Sequence, residues 1–451
     1  MKLRQINLEA GQRLTEQLLQ RSGGIDSDIE QVAVDIIADV QKCGDQALFD
    51  YTARFDGAQL SKMRVCFEEI EAAYEQLDER IISALEACAQ RIEDFHQRQV
   101  QQSWYATPRK GVLVGQQVTP INRVGIYVPG GRADYPSTVL MNVIPAMVAG
   151  VPEVAVVVPP RADGKIVAST LVACAIAGVS EIYKVGGAQA IAALAYGTES
   201  IPAVDKITGP GNAYVAAAKK LVQGRVGIDM IAGPSEVLVL ADDSANPRYV
   251  AIDLMAQAEH DPLAACYLVC TDPSLPTKVM AELDQLLVQS YRADITRASL
   301  EDHGIVIVTQ NMDDAIAASN FIAPEHLEVL TKDPQSLLGE ITNAGAIFLG
   351  SWTPESVGDY SAGPNHTLPT EGTARFSSPL RVDDFVKASS VLSYTPEALL
   401  AEADDVTAVA DIEGLWAHAE SVRLRIADIN AAEKGERSSD ENSKASIDAQ
   451  Q

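Results

Sequence analysis

From Gly111 onward, short and continuously apolar runs alternate with alanine-rich stretches of helical pattern, and glycine turns punctuate the series. VGIYV (124–128) leads through a glycine turn to TVLMNVIPAMVAG, VAVVV (154–158) leads to IVASTLVACAIAG, and EIYKVG leads to QAIAALAYG. A strand that is apolar on both faces must be covered on both faces, and the order strand, turn, helix supplies that cover in a parallel, doubly wound sheet. The same order resumes after Gly227 with SEVLVLAD, PRYVAIDLMAQAEHD, ACYLVCTD, KVMAELDQLLVQSY, GIVIVTQ, MDDAIAASNFIAPEHLEVL and GAIFLGS. Two successive α/β sheets follow. The 451 residues give them room, at roughly three times the ~150 residues of a typical single domain.

The flanks read differently. Residues 1 to about 105 carry apolar positions at three- and four-residue steps, as in EQVAVDIIADVQKCGDQALFDYTARF and ERIISALEACAQRIEDFHQRQ, which predicts packing helices without chemistry of their own. After Leu380 the strand signals thin, and EALLAEADDVTAVADIEGLWAHAESVRLRIADINAAE predicts a small helical domain. The last stretch, EKGERSSDENSKASIDAQQ, has almost no large apolar side chains and the composition of a disordered tail.

Charge excludes two classes of partner. Asp and Glu number 62 against 35 Lys and Arg, a net charge of −27, and a field of that sign repels phosphate backbones and anionic lipid. No nucleic acid and no membrane surface is expected. The longest apolar stretch, 137–160, is interrupted by Asn142, Pro145, Pro152 and Glu153 and cannot span a bilayer. Six cysteines without a CxxC pair, and an N-terminus without an apolar signal core, predict a reducing, cytoplasmic location.

Three glycine turns fall at strand ends: Gly130-Gly131, Gly186-Gly187 and Gly209-Pro210-Gly211-Asn212. Glycine there lets backbone N–H groups approach a pyrophosphate at the positive end of a helix. None spells GxGxxG, and each alone is explained by backbone geometry, but three together favour a ligand cleft beyond the carboxyl ends of the strands.

Of six histidines, His96, on the exposed face of a helix, and His303, in a turn, read as bland. In MAQAEHDP, Gln257 and His260 are three apart on a predicted helix and share a face. Asp359 and His366 sit in a Gly/Pro/Asn-rich loop, VGDYSAGPNHTLPT, and His418 follows Glu413 on or beside a C-terminal helix. Gln257, His260, Asp359 and His418 together offer N and O donors suited to Zn²⁺ or a similar ion, one set among several that spacing allows. Glu325-His326 follows Pro324, which can open a helix. An imidazole is the natural general base at neutral pH and a carboxylate of raised pKa can activate water. A solvated Glu beside a half-buried His is the plainer alternative.

Nine blocks in order carry a resemblance: RVGIYVPGG, YPSTVLM, KVGGAQAIAALAYGT, KITGPGNAYVAAAK, GIDMIAGPSEVLVLAD, QAEHDP, APEHLE, VGDYSAGPNHTLPT and EGLWAHA. The sequence resembles the histidinol dehydrogenase family over nearly all of its length to about Glu433. That resemblance implies a zinc-dependent, NAD-linked, four-electron oxidation of L-histidinol to L-histidine through L-histidinaldehyde, the last two steps of histidine biosynthesis. It implies two doubly wound Rossmann-like α/β domains, with a helical arm at 1–22, a discontinuous first domain at 23–123 and 236–380, and an NAD-binding domain at 124–235. A small helical domain at 381–433 would complete the partner's site in a homodimer, ahead of a disordered tail at 434–451. Gln257, His260, Asp359 and His418 match the zinc ligands, and Glu325 and His326 match the acid–base pair. Ser235, His366 and Glu413, together with His326 and the four zinc ligands, match the substrate-binding set. Tyr127, Gln189 and Asn212 match the NAD-contacting positions.

Overall fold

The computed structural model describes residues 3–19, 26–130 and 134–448, with side chains described as far as residue 432. Two compact units emerge, one of residues 1–100 and 120–386 and one of residues 101–119 and 387–451.

The larger unit holds two parallel sheets. One has five strands in the order Ile182–Lys184, Glu153–Val158, Arg123–Tyr127, Lys206–Thr208, Gly227–Ile228. Val124, Ile126, Ala155, Val156 and Val157 have no exposed surface, which is why their runs do not alternate. The chain leaves the central strand Arg123–Tyr127 in one direction and returns on its other side at Lys206–Thr208. The switch point between those two strands is flanked by Gly130 and Gly209.

The second sheet has six strands in the order Arg4–Asn7, Gly304–Val308, Ala265–Cys270, Glu236–Ala241, His326–Leu330, Ala346–Leu349, all parallel. Its chain path reverses in the same way, between Glu236–Ala241 and His326–Leu330.

Four expectations change. The 1–22 arm is not purely helical: Arg4–Asn7 is an edge strand, and among the described residues of this stretch only Glu16–Leu19 is helical. Four mixed residues carry no periodicity, so the partner strand decides their conformation. The helices Ser27–Cys43, Asp45–Phe55, Phe67–Tyr74 and Glu79–His96 do not join 236–380. Ile36, Val40 and Leu48 share a core with Ala190, Leu194 and Val215, and Ile70 and Ile92 share one with Val139, Val143 and Val172. They cover the five-stranded sheet, because an apolar stripe shows that a helix is buried but not against what. The region after Leu380 is not wholly helical either. Val386–Tyr394 forms a three-stranded sheet with Val112–Pro120 and Trp104–Arg109, and Thr395 then caps the helix Pro396–Ile412. Finally, the helix Trp416–Asp448 continues through the stretch whose composition predicts a disordered tail, with no proline after Pro396 to stop it. Among the described residues no helix is long and apolar enough to cross a membrane.

One side chain on the larger unit gives a pH prediction. Asp56 ends the helix Asp45–Phe55, where a negative charge opposes the helix dipole, and its Oδ2 is buried without a hydrogen-bond partner. Burial raises its pKa to about 6. The folded state therefore keeps a proton that the unfolded chain releases near ~3.9. The stability this group gives at low pH is lost as pH rises from about 4 to about 6. Asp56→Asn should melt higher than wild type at about pH 8 and level with it at about pH 4. Thermal melts at the two pH values check this, and an equal gap at both would contradict the burial account.

Candidate active site

The carboxyl ends of the five-stranded sheet and the amino ends of the six-stranded sheet border one cleft of about 1890 Å³. A single small-ligand pocket runs to roughly 300–1,000 Å³, so the cleft has room for two ligands at once. Gly130 and residues 209–212 line one side; Ser235, Glu236, Glu325 and His326 line the other. The rule that ligands sit beyond carboxyl ends therefore holds for one sheet only.

Glu325 and His326 do not open a helix. The helix Met312–Ile322 closes at Ala323, which takes a left-handed φ of 51°, and Pro324 cannot extend it. His326 begins the strand His326–Leu330, paired with Val237 and Ala346. Both side chains grip the start of the neighbouring strand: Glu236 N–H donates to Glu325 Oε2 at 2.8 Å, and His326 Nδ1 lies 3.1 Å from Glu236 O. A carbonyl oxygen only accepts, so Nδ1 carries the proton and Nε2 keeps its lone pair. Nε2 is buried without a hydrogen-bond partner, 3.8 Å from Asp359 Oδ1.

Burial dominates the electrostatics. It lowers His326 to about 3 and His366 to about 4, and raises Asp359 to about 7. Burial, reinforced by the Glu236 and Asp359 charges, lifts Glu325 well above the usual carboxylate range, against the pull of the Glu236 N–H. Glu355 is lifted well above it too, by burial and then by Asp359, Glu328 and Glu325. Behind Glu355 lie Glu328, raised to about 9, and Asp253, raised to about 6, both chiefly by burial. Carboxyl groups this crowded and this poorly hydrated bind either protons or a cation.

Gln257 occupies the last turn of the helix Pro247–Ala258 and is fully buried. A carboxylate only accepts, so the Gln257 amide is assigned with its nitrogen toward Glu355, 3.1 Å from Oε2 and closer to Oε1, which leaves the amide oxygen for another partner. His260 does not share that helix. It lies past the cap residue Glu259, in the turn where its N–H donates to Gln257 O at 3.2 Å, and its side chain is exposed to the cleft. Asp359 stands on the helix Glu355–Tyr360 and not in a loop. Gln257, His260, Asp359, Ser235, His366, Glu325, His326 and Asn212 all line the one cleft.

Tyr127 and Gln189 are buried away from the cleft lining. The Tyr127 hydroxyl accepts the Gly187 N–H at 3.1 Å, and burial pushes its pKa up to about 12. The Asn212 side chain accepts Tyr214 and Val215 N–H, both at 3.1 Å, and so caps the helix Ala213–Val222. Glu413 caps the helix Pro396–Ile412 and His418 lies in the first turn of Trp416–Asp448, both exposed and both in the smaller unit. Gly131 lies outside the described residues. His96 is fully buried, against expectation, with Nδ1 2.8 Å from Gln99 Oε1 and Nε2 3.4 Å from Asn365, the neighbour of His366.

Sequence reasoning missed Glu355, Glu328 and Asp253. Two had a signal. Glu355 precedes Asp359 by four residues, one turn of helix, and Glu328 follows His326 by two, the same face of a strand.

The family model for histidinol dehydrogenase matches residues 19–426. The histidinol dehydrogenase of Halalkalibacterium halodurans is 54% identical over 411 residues, covering 91% of this chain and 97% of that protein. That of Bacillus subtilis is 53% identical over 390 residues, covering 86% and 91%. The crystal structure of histidinol dehydrogenase from Elizabethkingia anophelis superposes with a TM-score of 0.90 at 38% identity, covering 95% of this chain and 99% of that one. Similarity at this identity spans both sheets and the cleft between them, and the chain belongs to the histidinol dehydrogenase family.

Proposed function

We propose that the protein oxidises L-histidinol to L-histidine through L-histidinaldehyde, reducing two NAD and consuming one water, with Zn²⁺ holding the substrate. The observation that carries the reading is a buried imidazole with a free Nε2 beside Asp359, on the same cleft wall as Gln257 and His260.

Zinc fits this wall by its chemistry. An amide oxygen, an imidazole and a carboxylate reach the cleft from Gln257, His260 and Asp359, amid carboxyl groups that a cation would relieve. His418 is the proposed fourth ligand, supplied with Glu413 by the partner in a homodimer. Bound Zn²⁺ would fix the substrate's nitrogens and so orient the alcohol carbon. NAD, as hydride acceptor, fits the switch point of the five-stranded sheet, where Gly130 and residues 209–212 border the cleft and Asn212 opens a helix.

The chain's residues then divide the work. His326 Nε2 takes the alcohol proton as hydride leaves the carbinol carbon. Glu325 takes a proton from the water that adds to the aldehyde, giving the hydrate from which the second hydride leaves. Ser235 and His366 hold the substrate from the cleft wall, and Tyr127 and Gln189 shape the glycine turns from beneath. Chelation should abolish histidinol-dependent NADH formation and added zinc should restore it; activity that survives full metal removal would contradict the metal's place.

Glu355 gives a second check. By holding the Gln257 amide nitrogen it would leave the amide oxygen free to hold a bound Zn²⁺, and orienting partners of this kind typically change metal affinity by about 10–100-fold. Glu355→Leu, which leaves no acceptor for the Gln257 amide nitrogen, should weaken zinc retention by about that factor, read by competition with a chromophoric chelator. Wild-type retention would remove Gln257 as an oriented ligand.

A further inference from the structure

Lys219 and Asp229 form an ion pair whose side chains are only 2% and 1% exposed, and no step of the reaction uses them. Each also holds one backbone group of the same residue. Lys219 Nζ donates to Gly209 O at 2.9 Å, and Gly209 N–H donates to Asp229 Oδ2 at 2.8 Å. Gly209 has a φ of +113°, and a Cβ there would drive into the Tyr127 carbonyl oxygen. Only glycine takes this conformation freely, and glycine has the least preference of its own for any one conformation, so the turn must be fixed from outside.

A buried ion pair contributes little net stability over apolar residues of the same volume. What it does here is geometric. Lys219 lies on the helix Ala213–Val222, Gly209 joins the strand Lys206–Thr208 to that helix, and Asp229 follows the edge strand Gly227–Ile228. Asp229 also begins the segment 229–235, which runs directly into Glu236, the residue that Glu325 and His326 grip. Both 209–212 and 229–236 line the cleft.

We propose that Lys219 and Asp229 are a positioning pair that locks the glycine turn at 209–212 against the segment 229–235, and so sets where dinucleotide phosphates sit relative to the acid–base pair. The proposal rests on the dinucleotide reading of the cleft. Neither residue is a catalytic residue; both act through the backbone of Gly209.

The test is direct NAD binding to the full-length protein by calorimetry, with zinc content and histidinol affinity measured alongside. The double variant Lys219→Met/Asp229→Asn removes both charges together and leaves neither partner buried alone. Its NAD dissociation constant should rise about 10- to 100-fold, the scale of one lost hydrogen bond to a charged phosphate, and the KM for NAD should rise with it. Zinc content and histidinol affinity should stay near wild type, whereas kcat at saturating NAD should fall as well, because a dinucleotide seated about 1 Å away meets the acid–base pair in poorer register. Lys219→Arg, which keeps the charge but moves the donors, should shift NAD affinity the same way and less far. Should the double variant fail to fold, wild-type NAD affinity in Lys219→Arg overturns the proposal. A folded double variant that binds NAD as wild type does overturns it equally, whatever its melting temperature. Wild-type protein that binds no NAD overturns the dinucleotide reading and this inference with it.

Discussion

His326→Gln should give a folded protein that retains zinc and oxidises histidinol about 10²–10⁴-fold more slowly, the usual contribution of a positioned general base. Glutamine can still donate to Glu236 O, the bond that ties His326 to the neighbouring strand, so the register of the sheet survives. What is lost is the lone pair on Nε2. Burial holds the imidazole at about 3, hence neutral across the range in which the enzyme would be assayed. The imidazolium formed on taking a proton is offset by Asp359, 3.8 Å away. Histidinol-dependent NADH formation at saturating NAD checks the fall, and a rate within threefold of wild type would place the base elsewhere.

Glu325→Gln should separate the two halves of the reaction. The amide oxygen can still accept the Glu236 N–H, so the strand start remains held, but no carboxylate is left to take a proton from water. Oxidation of supplied histidinaldehyde should fall about 10²–10⁴-fold, while the first hydride transfer from histidinol changes by less than about tenfold. The pH dependence has a definite sign. Because burial raises the Glu325 pKa well above the usual carboxylate range, its basic form appears only as pH climbs. Wild-type aldehyde oxidation should therefore rise with pH along a limb that the variant lacks. Single-turnover rates from histidinaldehyde across pH test both points; if this variant and His326→Gln both oxidise the supplied aldehyde at the wild-type rate, the role of Glu325 is wrong.

Both sheets were legible because their strands, such as Glu153–Val158 and Glu236–Ala241, are apolar on both faces and their order with helices admits few packings. Arg4–Asn7 and Val386–Tyr394 were not, since RQIN is too short for a period and VKASSVLSY is largely exposed and mixed in character. The start of HLEVL was misread because Pro324 serves equally to open a helix and to separate one from a strand. At the site, the donors came from motifs whose residues are far apart in sequence. Spacing alone could not choose among them, because Gln257, Asp359 and His326 lie on three elements brought together only by sheet order. Glu355, Glu328 and Asp253 escaped notice for a different reason: buried and half-buried carboxyl groups look like surface charges until their surroundings are known.

The most direct measurement is the number of NADH formed per histidinol consumed by the purified, zinc-loaded protein, followed to completion with NAD in excess. Two are expected, with histidine as product and no free aldehyde accumulating. One NADH per histidinol, with aldehyde left in solution, would contradict the four-electron oxidation, and no NADH at all would contradict histidinol as the substrate.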